Sequence, residues 1–176
     1  ASSIEDLRKV DAEKLPQGMG MGMGGSWPIV DGYVVPDDQF KLYESGKYND
    51  VPVLIGYNSD EGLSFPSGHT PADYINSVKN RFGPFADDLI EVYPPGDKLV
   101  TRSARNLMRD AAFGWHTWSW ARLQSETGKS KAYLYYFDQH PEYPKDSPQF
   151  DHGTPHGVDV AYVFKNIDTA NPTTSK

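Results

Sequence analysis

The sequence predicts an α/β protein in which helices connect two parallel strands. The first strand is expected at Val51-Pro-Val-Leu-Ile-Gly-Tyr57, because a continuous apolar run between polar turn residues is typical of a strand buried on both faces. The second is expected at Lys131-Ala-Tyr-Leu-Tyr-Tyr-Phe137, which is rich in aromatic residues. A strand–helix–strand connection makes the two strands parallel, with a right-handed crossover.

Three helices are predicted between the strands from their start and stop signals. Thr70-Pro71-Ala-Asp73 combines a capping Thr, a Pro at the first helical position and an acid in the first turn. The stops are Gly83, Pro94-Pro95 and Gly128, which end one helix each. The expected helical ranges are 70–82, 87–93 and 101–126.

Shorter elements are expected outside this crossover unit. Residues 18–25 alternate Gly with Met, which predicts a surface loop; the alternative is a pliable, Met-lined pocket wall. The other elements are a helix over 2–15 opened by a capping box, an extended segment over 27–36 folded around Asp31-Gly32, helical turns over 40–46 and a helix over 158–164.

Composition excludes several classes of protein. Hydrophobic residues make up 38% of the 176 residues, which is enough for a core and argues against disorder. Seventeen basic against 24 acidic side chains give a net charge of −7, the wrong sign for a protein that follows nucleic-acid phosphates. The longest apolar run is far shorter than the roughly 20 residues that a membrane helix needs, so no membrane span is expected. Cysteine is absent, which excludes disulfides and thiolate chemistry but leaves the cellular compartment undecided.

The two predicted strands need further strands beside them, because a two-stranded sheet is not stable alone. The chain begins with Ala1 in a helix-start pattern and ends in polar turn residues. We therefore expect residues 1–176 to be a fragment, with the remaining strands supplied by another part of the chain or by another chain.

Polar residues follow both predicted strands, where the loops of an open α/β sheet carry chemistry. Asn58-Ser-Asp-Glu-Gly62 follows the first strand, and Asp151-His-Gly-Thr-Pro-His-Gly157 follows the second. A carboxylate and then a histidine, each beyond a parallel strand, form the later part of a Ser…Asp/Glu…His triad. In such a triad the imidazole takes the proton of the nucleophile, and a buried carboxylate orients the imidazole. The glycines permit tight turns there.

The nucleophile of such a triad is not found in this sequence. A Gly-x-Ser-x-Gly segment would be required, and Gly24-Gly-Ser-Trp-Pro28 and Gly62-Leu-Ser-Phe-Pro66 each lack the second glycine. No His-Gly-Gly oxyanion loop is present either. A serine hydrolase of this type would carry both parts upstream of residue 1.

Three segments strongly resemble the type-B carboxylesterases, the family of para-nitrobenzyl esterases, fungal lipases and cholinesterases. They are Trp27-Pro-Ile-Val-Asp-Gly32, Leu54-Ile-Gly-Tyr-Asn-Ser-Asp-Glu-Gly62 and Thr154-Pro-His-Gly-Val-Asp-Val-Ala-Tyr-Val-Phe164. Weaker similarity runs through Asp110-Ala-Ala-Phe113 and Ala132-Tyr-Leu-Tyr-Tyr-Phe137. The resemblance extends in order over nearly the whole chain.

The resemblance implies an α/β-hydrolase fold, of which this chain is the C-terminal part: a mostly parallel sheet flanked by helices. It implies that Glu61 is the triad acid and His156 the base, with Asp60 a supporting neighbour. The implied reaction is cofactor-free hydrolysis of small-molecule carboxylic esters through an acyl-serine intermediate. The implied partner is the N-terminal portion of the same esterase, which would carry the nucleophilic serine.

Other interpretations of these residues remain open. Asp151, His152 and His156 are possible metal ligands, although Pro155 disfavours the helix that would align the pair of histidines. As alternatives to an esterase, we retain a non-catalytic binding or adhesion protein with the esterase fold and, more remotely, a separate carbohydrate- or aromatic-binding module.

The aromatic side chains of the long predicted helix and two further carboxylates are expected to be structural. His116 shares a helix with Trp115, Trp118 and Trp120, and these aromatics should pack, some against a second layer; the alternative is that some line an acyl pocket. Asp31 and Asp110 should pair with arginines or backbone N–H groups, and Arg105 and Arg109 are close to Asp110 in sequence.

Overall fold

A computed structural model describes residues 3–14, 28–65, 70–96, 100–140 and 143–165. The chain divides into two compact units, Ala1–Leu42 and Tyr43–Lys176. Residues 18–25, predicted to be a loop, lie outside the described residues. None of the helices in the described part of the chain is long and apolar enough to cross a membrane.

The first unit begins with a shorter helix than predicted. Helix α1 spans Ile4–Arg8, and the Ser3 side chain accepts a hydrogen bond from the Asp6 N–H, as the capping signal predicts. A separate 3₁₀ turn follows at Ala12–Lys14. None of the residues of α1 is buried. The prediction of one helix to residue 15 is wrong because a short helix without a packed face does not propagate.

The predicted turn at Asp31-Gly32 forms, but the described part of the flanking segment is not in strands. Asp31 Oδ1 accepts hydrogen bonds from the backbone N–H groups of Tyr33, Val34 and Val35, at 2.8–3.0 Å. These bonds, first of all the one from the Tyr33 N–H, hold the pKa of Asp31 below its usual value. Asp31 is therefore structural, as expected.

Helix α2 spans Gln39–Glu44 and is followed by Gly46 at a φ of +69°, in agreement with the predicted stop. Beyond it, the second unit contains the sheet. Strand β1 spans Val53–Asn58 and strand β2 spans Ala132–Phe137. They pair in parallel, as predicted, with Val53 opposite Ala132 and Asn58 opposite Phe137.

The prediction that the first strand is buried on both faces is wrong within the described residues. Successive strand residues point to opposite faces. On one face, Tyr57 packs close to Gly114 of the connecting helices. On the other, Leu54 is 71% exposed. The connecting helices therefore cover one face of the sheet. On the other face, Tyr162 packs against Phe137 at the carboxyl end of the sheet and leaves Leu54 uncovered. Further strands or helices remain a prediction.

The helices of the second unit lie close to the predicted ranges. Thr70 caps the first of them, and Gly83, at a φ of +53°, ends it. The long helix predicted over 101–126 is divided by a π-helical segment at Asp110–Gly114. The helices are α3 (Pro71–Phe82), α4 (Ala86–Val92), α5 (Val100–Arg109), α6 (Trp115–Thr127) and α7 (Val158–Val163).

The main hydrophobic core lies between α3, α4 and α5. Its buried members come from all three helices and are Tyr74, Val78, Ala86, Val100, Ala104 and Leu107. Apolar burial of this kind supplies the main favourable free energy of folding.

The tryptophans of α6 agree with the predicted packing only in part. Trp115 and Trp118 contact each other, with ring centroids 5.5 Å apart, and Arg122 lies over Trp118. Nevertheless, the exposed fractions of Trp115, Trp118 and Trp120 are 59%, 46% and 39%. Trp120 meets a second layer, as predicted, because its ring lies edge-on to that of Tyr43 of α2, with centroids 5.7 Å apart.

Asp110 is structural, as predicted, and its partner is Arg109. The Arg109 guanidinium donates two hydrogen bonds to its carboxylate, at 2.7 and 2.8 Å. The Tyr93 hydroxyl, after α4, donates a third at 2.7 Å. Burial, together with this neighbouring carboxylate, raises the pKa of Tyr93 to about 12.

We expect Thr70→Ala to lower the free energy of unfolding of the intact protein by about 1 kcal/mol. The change removes the hydroxyl that accepts from the Asp73 N–H at 3.1 Å. Urea denaturation measures the effect. Ser125→Ala is the control, because it removes an exposed hydroxyl that bonds only within its own helix. An equal loss in both variants would contradict the capping role.

We expect Tyr93→Phe to make the free energy of unfolding fall less steeply as the pH rises above 10. With the folded pKa at about 12, above the ordinary value of 10.0, the neutral phenol stabilises the fold fully below pH 10. That contribution disappears as the pH rises toward 12. Urea denaturation of both proteins between pH 9 and pH 12 measures the difference, which should shrink with pH. A constant difference would refute the Tyr93–Asp110 interaction.

Candidate active site

The loops beyond β1 and β2 are joined by backbone hydrogen bonds. The N–H of Ser59 donates to the Phe137 carbonyl at 2.9 Å, which extends the sheet by one bond. The N–H of Asp60 then donates to the Thr154 carbonyl at 3.0 Å. In return, the Thr154 N–H donates to Ser59 Oγ at 2.7 Å. These bonds bring the two sequence motifs together, as expected for the carboxyl edge of a parallel sheet.

Two glycines permit the backbone geometry of the turns that carry Glu61 and His156. A Cβ atom at Gly62 would lie 2.0 Å from the backbone oxygen of Arg105, so only glycine lets the turn after Glu61 pack against α5. Gly157, which precedes α7, has a φ of +80°, a conformation that other residues adopt at a cost. Both findings agree with the predicted role of these glycines in tight turns.

Glu61 and His156 contact each other directly. Glu61 begins a 3₁₀ turn, Glu61–Ser64, and is 4% exposed. Its Oε2 lies 2.6 Å from His156 Nδ1, and its Oε1 accepts a hydrogen bond from the Asn58 N–H at 2.9 Å. Because an ionised carboxylate can only accept, we assign the imidazole proton to Nδ1.

The other side of the imidazole faces solvent. The side chain of His156 is 47% exposed, and its Nε2 has no hydrogen-bond partner among the residues described. With the proton on Nδ1, Nε2 carries a free lone pair. This arrangement allows Nε2 to accept a proton from a group that approaches from outside, while the buried carboxylate stabilises the resulting imidazolium.

Phe113 packs beside the imidazole and was not identified as a site residue from sequence. Its ring centroid lies 5.3 Å from that of His156, and the Phe65 ring lies edge-on to Phe113 with centroids 6.2 Å apart. The π-helical segment carries Phe113 to this position, and π-helical turns often occur at functional sites. The only feature of the sequence that could have identified Phe113 as a site residue was the weak family similarity at Asp110-Ala-Ala-Phe113.

Asp60 supports the loop before His156 and does not contact the imidazole. It is 4% exposed. Its Oδ2 accepts from the Gly153 N–H at 3.1 Å, and its Oδ1 lies 3.1 Å from Arg105 Nε. Arg105 also donates to the carbonyl and the carboxylate of Asp151. Arg105 therefore pairs with Asp60 and Asp151, and not with Asp110, its neighbour in sequence.

Asn58 is a further residue of the site that sequence reasoning missed. It is the last residue of β1 and is 1% exposed. Its side-chain Nδ2 donates to the Pro155 carbonyl at 2.8 Å and to Asp159 Oδ1 at 3.0 Å. The motif around Glu61 contains Asn58, but nothing in the local pattern indicates that its amide reaches across to the His156 loop.

The other loop histidines lie at a different place. His140, His152 and Asp151 line a polar cavity of about 410 Å³, to which Arg102, Arg105 and Arg109 also contribute, and Glu61 and His156 do not. No group of three or more His, Asp or Glu side chains in the described ranges could hold a metal ion. Asp151, His152 and His156, considered as metal ligands from sequence, do not converge.

Known proteins resemble the chain over most of its length. Para-nitrobenzyl esterase of Bacillus subtilis (strain 168) is 26% identical in an alignment of 149 positions that covers 80% of this chain and 28% of that protein. Neuroligin-2 of Homo sapiens is 27% identical over 93% of this chain and 22% of its own length. The chain thus spans less than a third of the length of these curated relatives.

The fold is also that of a solved structure, a PNB esterase, with a TM-score of 0.63 and 24% identity over 96% of this chain and 35% of that one. The chain therefore has the α/β-hydrolase fold, and β1 and β2 are two of its parallel strands. A family model described as "Carboxylesterase family" matches residues 2–175. Since this match covers nearly every residue, the chain belongs to the carboxylesterase family, in the type-B group that includes the para-nitrobenzyl esterases.

Proposed function

We propose that this chain supplies the acid and the base of a carboxylic ester hydrolase, with Glu61 as the acid and His156 as the base. The observation that carries the proposal is the 2.6 Å contact between buried Glu61 Oε2 and His156 Nδ1. A carboxylate that is 5% exposed beside an imidazole that is 47% exposed has the polarity of a triad. The Glu61 carboxylate is excluded from water, and the His156 imidazole is accessible to a substrate.

The proposed reaction is acyl transfer through a serine. His156 Nε2 takes the proton of the serine hydroxyl as its oxygen attacks the ester carbonyl carbon. The tetrahedral intermediate collapses, the bond to the alcohol oxygen breaks, and the alcohol leaves with the proton from Nε2. Water then attacks the acyl-serine in the same way, which releases the carboxylic acid and restores the serine. Glu61 stabilises the imidazolium that forms in each half-reaction.

The serine and the oxyanion-hole donors belong, in this proposal, to polypeptide upstream of residue 1. No serine of the chain lies in a Gly-x-Ser-x-Gly segment. The curated relatives are more than three times as long as the region matched here, which supports the proposal that this chain is a portion of a larger protein. The substrate is a small-molecule carboxylic ester, and para-nitrobenzyl esters, named in one relative, are the first to assay.

The alternative is a non-catalytic binding or adhesion protein with the esterase fold. The contact between the buried Glu61 carboxylate and the His156 imidazole favours the hydrolase. A protein that only binds has no evident need for a carboxylate excluded from water next to an imidazole open to it, since burying an ionised carboxylate is costly. The residue at the serine position decides between the two functions.

We expect His156→Ala and Glu61→Gln each to lower ester turnover in the intact protein by about four orders of magnitude. Alanine removes the proton acceptor, and glutamine removes the charge that stabilises the imidazolium. Initial rates of hydrolysis and labelling by a fluorophosphonate, which reacts with activated serines, measure the loss.

The matched control for this experiment is His116→Ala, because His116 is an exposed histidine on α6 away from the pair. Turnover and labelling should stay at the wild-type level in that variant. Near-normal turnover by a folded His156→Ala protein would refute the assignment of the base.

Denaturing mass spectrometry with peptide sequencing tests whether the intact protein contains the proposed nucleophilic serine. We expect a Gly-x-Ser-x-Gly segment, either joined to this chain or in an associated polypeptide. A segment with the serine replaced would indicate the binding protein. An isolated 19.7 kDa species that hydrolyses esters would contradict the proposed mechanism.

A further inference from the structure

We propose that Asn58 is a positioning residue that sets the geometry of the Glu61–His156 pair from both sides. The inference rests on the proposed function, because positioning matters only if the pair transfers protons. Asn58 contacts the carboxylate through its backbone and the histidine loop through its side chain. Within the described residues, it is the one residue bonded both to Glu61 and to the backbone next to His156.

The backbone of Asn58 orients the carboxylate. Its N–H donates to Glu61 Oε1 at 2.9 Å, and this bond leaves Oε2 directed at His156 Nδ1. Because Asn58 ends β1 in register with Phe137, the N–H is held by the sheet and does not depend on a flexible side chain. A rigid donor of this kind fixes the rotation of the carboxylate group.

The side chain of Asn58 holds the histidine loop at two points. Both hydrogens of Nδ2 are used, one on the carbonyl of Pro155 and one on Asp159 Oδ1. Pro155 immediately precedes His156, and Asp159 lies in the first turn of α7. His156 therefore lies between two anchors that belong to a single amide group.

An amide is the side chain that fits these contacts. Asn58 is 1% exposed and its two acceptors are half-buried, so a side chain without donors would leave both acceptors with a lost hydrogen bond. An aspartate would place acceptors against the Pro155 carbonyl and the Asp159 carboxylate, and a leucine of similar size would donate to neither. Asn58 Oδ1 has no hydrogen-bond partner among the described residues, which indicates that the side chain serves through its two donors.

The direct readout is the proton on His156 Nδ1, which resonates far downfield in a ¹H spectrum when it is held in a short bond to a carboxylate. Its disappearance in His156→Ala assigns it. In the intact protein we expect Asn58→Leu to shift this signal upfield or broaden it. Ser103→Ala should leave it unchanged, since that control removes a bond to the Pro94 carbonyl that involves neither loop.

The kinetic readout separates positioning from general destabilisation. We expect Asn58→Leu to lower kcat by about 10- to 100-fold with KM changed less than about twofold, because a small misplacement of a proton-transferring group acts on the chemical step. In a His156→Ala background the same change should cause no further loss, because the group that Asn58 positions is absent.

Asn58→Ser serves as a second variant if Asn58→Leu does not fold, since the smaller side chain leaves room for water to reach the two acceptors. It should show the same signal change and a smaller loss of kcat. An unchanged Nδ1 proton signal in either folded variant, or losses that add to those of His156→Ala, would overturn the positioning role. If His156→Ala left turnover unaffected, the esterase proposal would fail, and the proton signal would still report whether Asn58 positions the pair.

Discussion

The parallel pairing of β1 with β2 is the constraint on which the rest of the site depends. Its register places Asn58 opposite Phe137, so that both strands end at the same edge. The Ser59 N–H bond to the Phe137 carbonyl continues the pairing, and the Asp60 N–H bond to the Thr154 carbonyl carries it into the next loop. The contact between Glu61 and His156, 95 residues apart, follows from this alignment.

The same alignment explains how two adjacent carboxylates remain buried. Asp60 and Glu61 are each 4% exposed, and a buried charge is costly unless it is paired and hydrogen-bonded. Their side chains are directed to different partners: Asp60 to Arg105 and the Gly153 N–H, and Glu61 to the Asn58 N–H and His156. One carboxylate thus ties the loop to α5, and the other is left for the imidazole.

Local sequence signals predicted the helices and strands of the second unit well. They failed where the structure depends on burial or on contact with a distant residue. Thr70 and Gly83 bound α3 because caps act within a few residues of themselves. No such signal marks the π-helical segment at Asp110–Gly114, whose Gly114 lies close to Tyr57 of β1. The exposure of Leu54 could not be predicted either. An apolar side chain favours burial, but the sequence does not show whether another element packs against it.

The sequence by itself determined the class of fold, the order of its elements and, through its family motifs, Glu61 and His156 as the candidate acid and base. Only the tertiary structure decided which groups surround them. It pairs Arg105 with Asp60 across the fold, brings Phe113 to the imidazole and spans both loops with the amide of Asn58. The physical reason is that capping and periodicity act over a few residues, whereas these contacts join segments that only the folded sheet brings together.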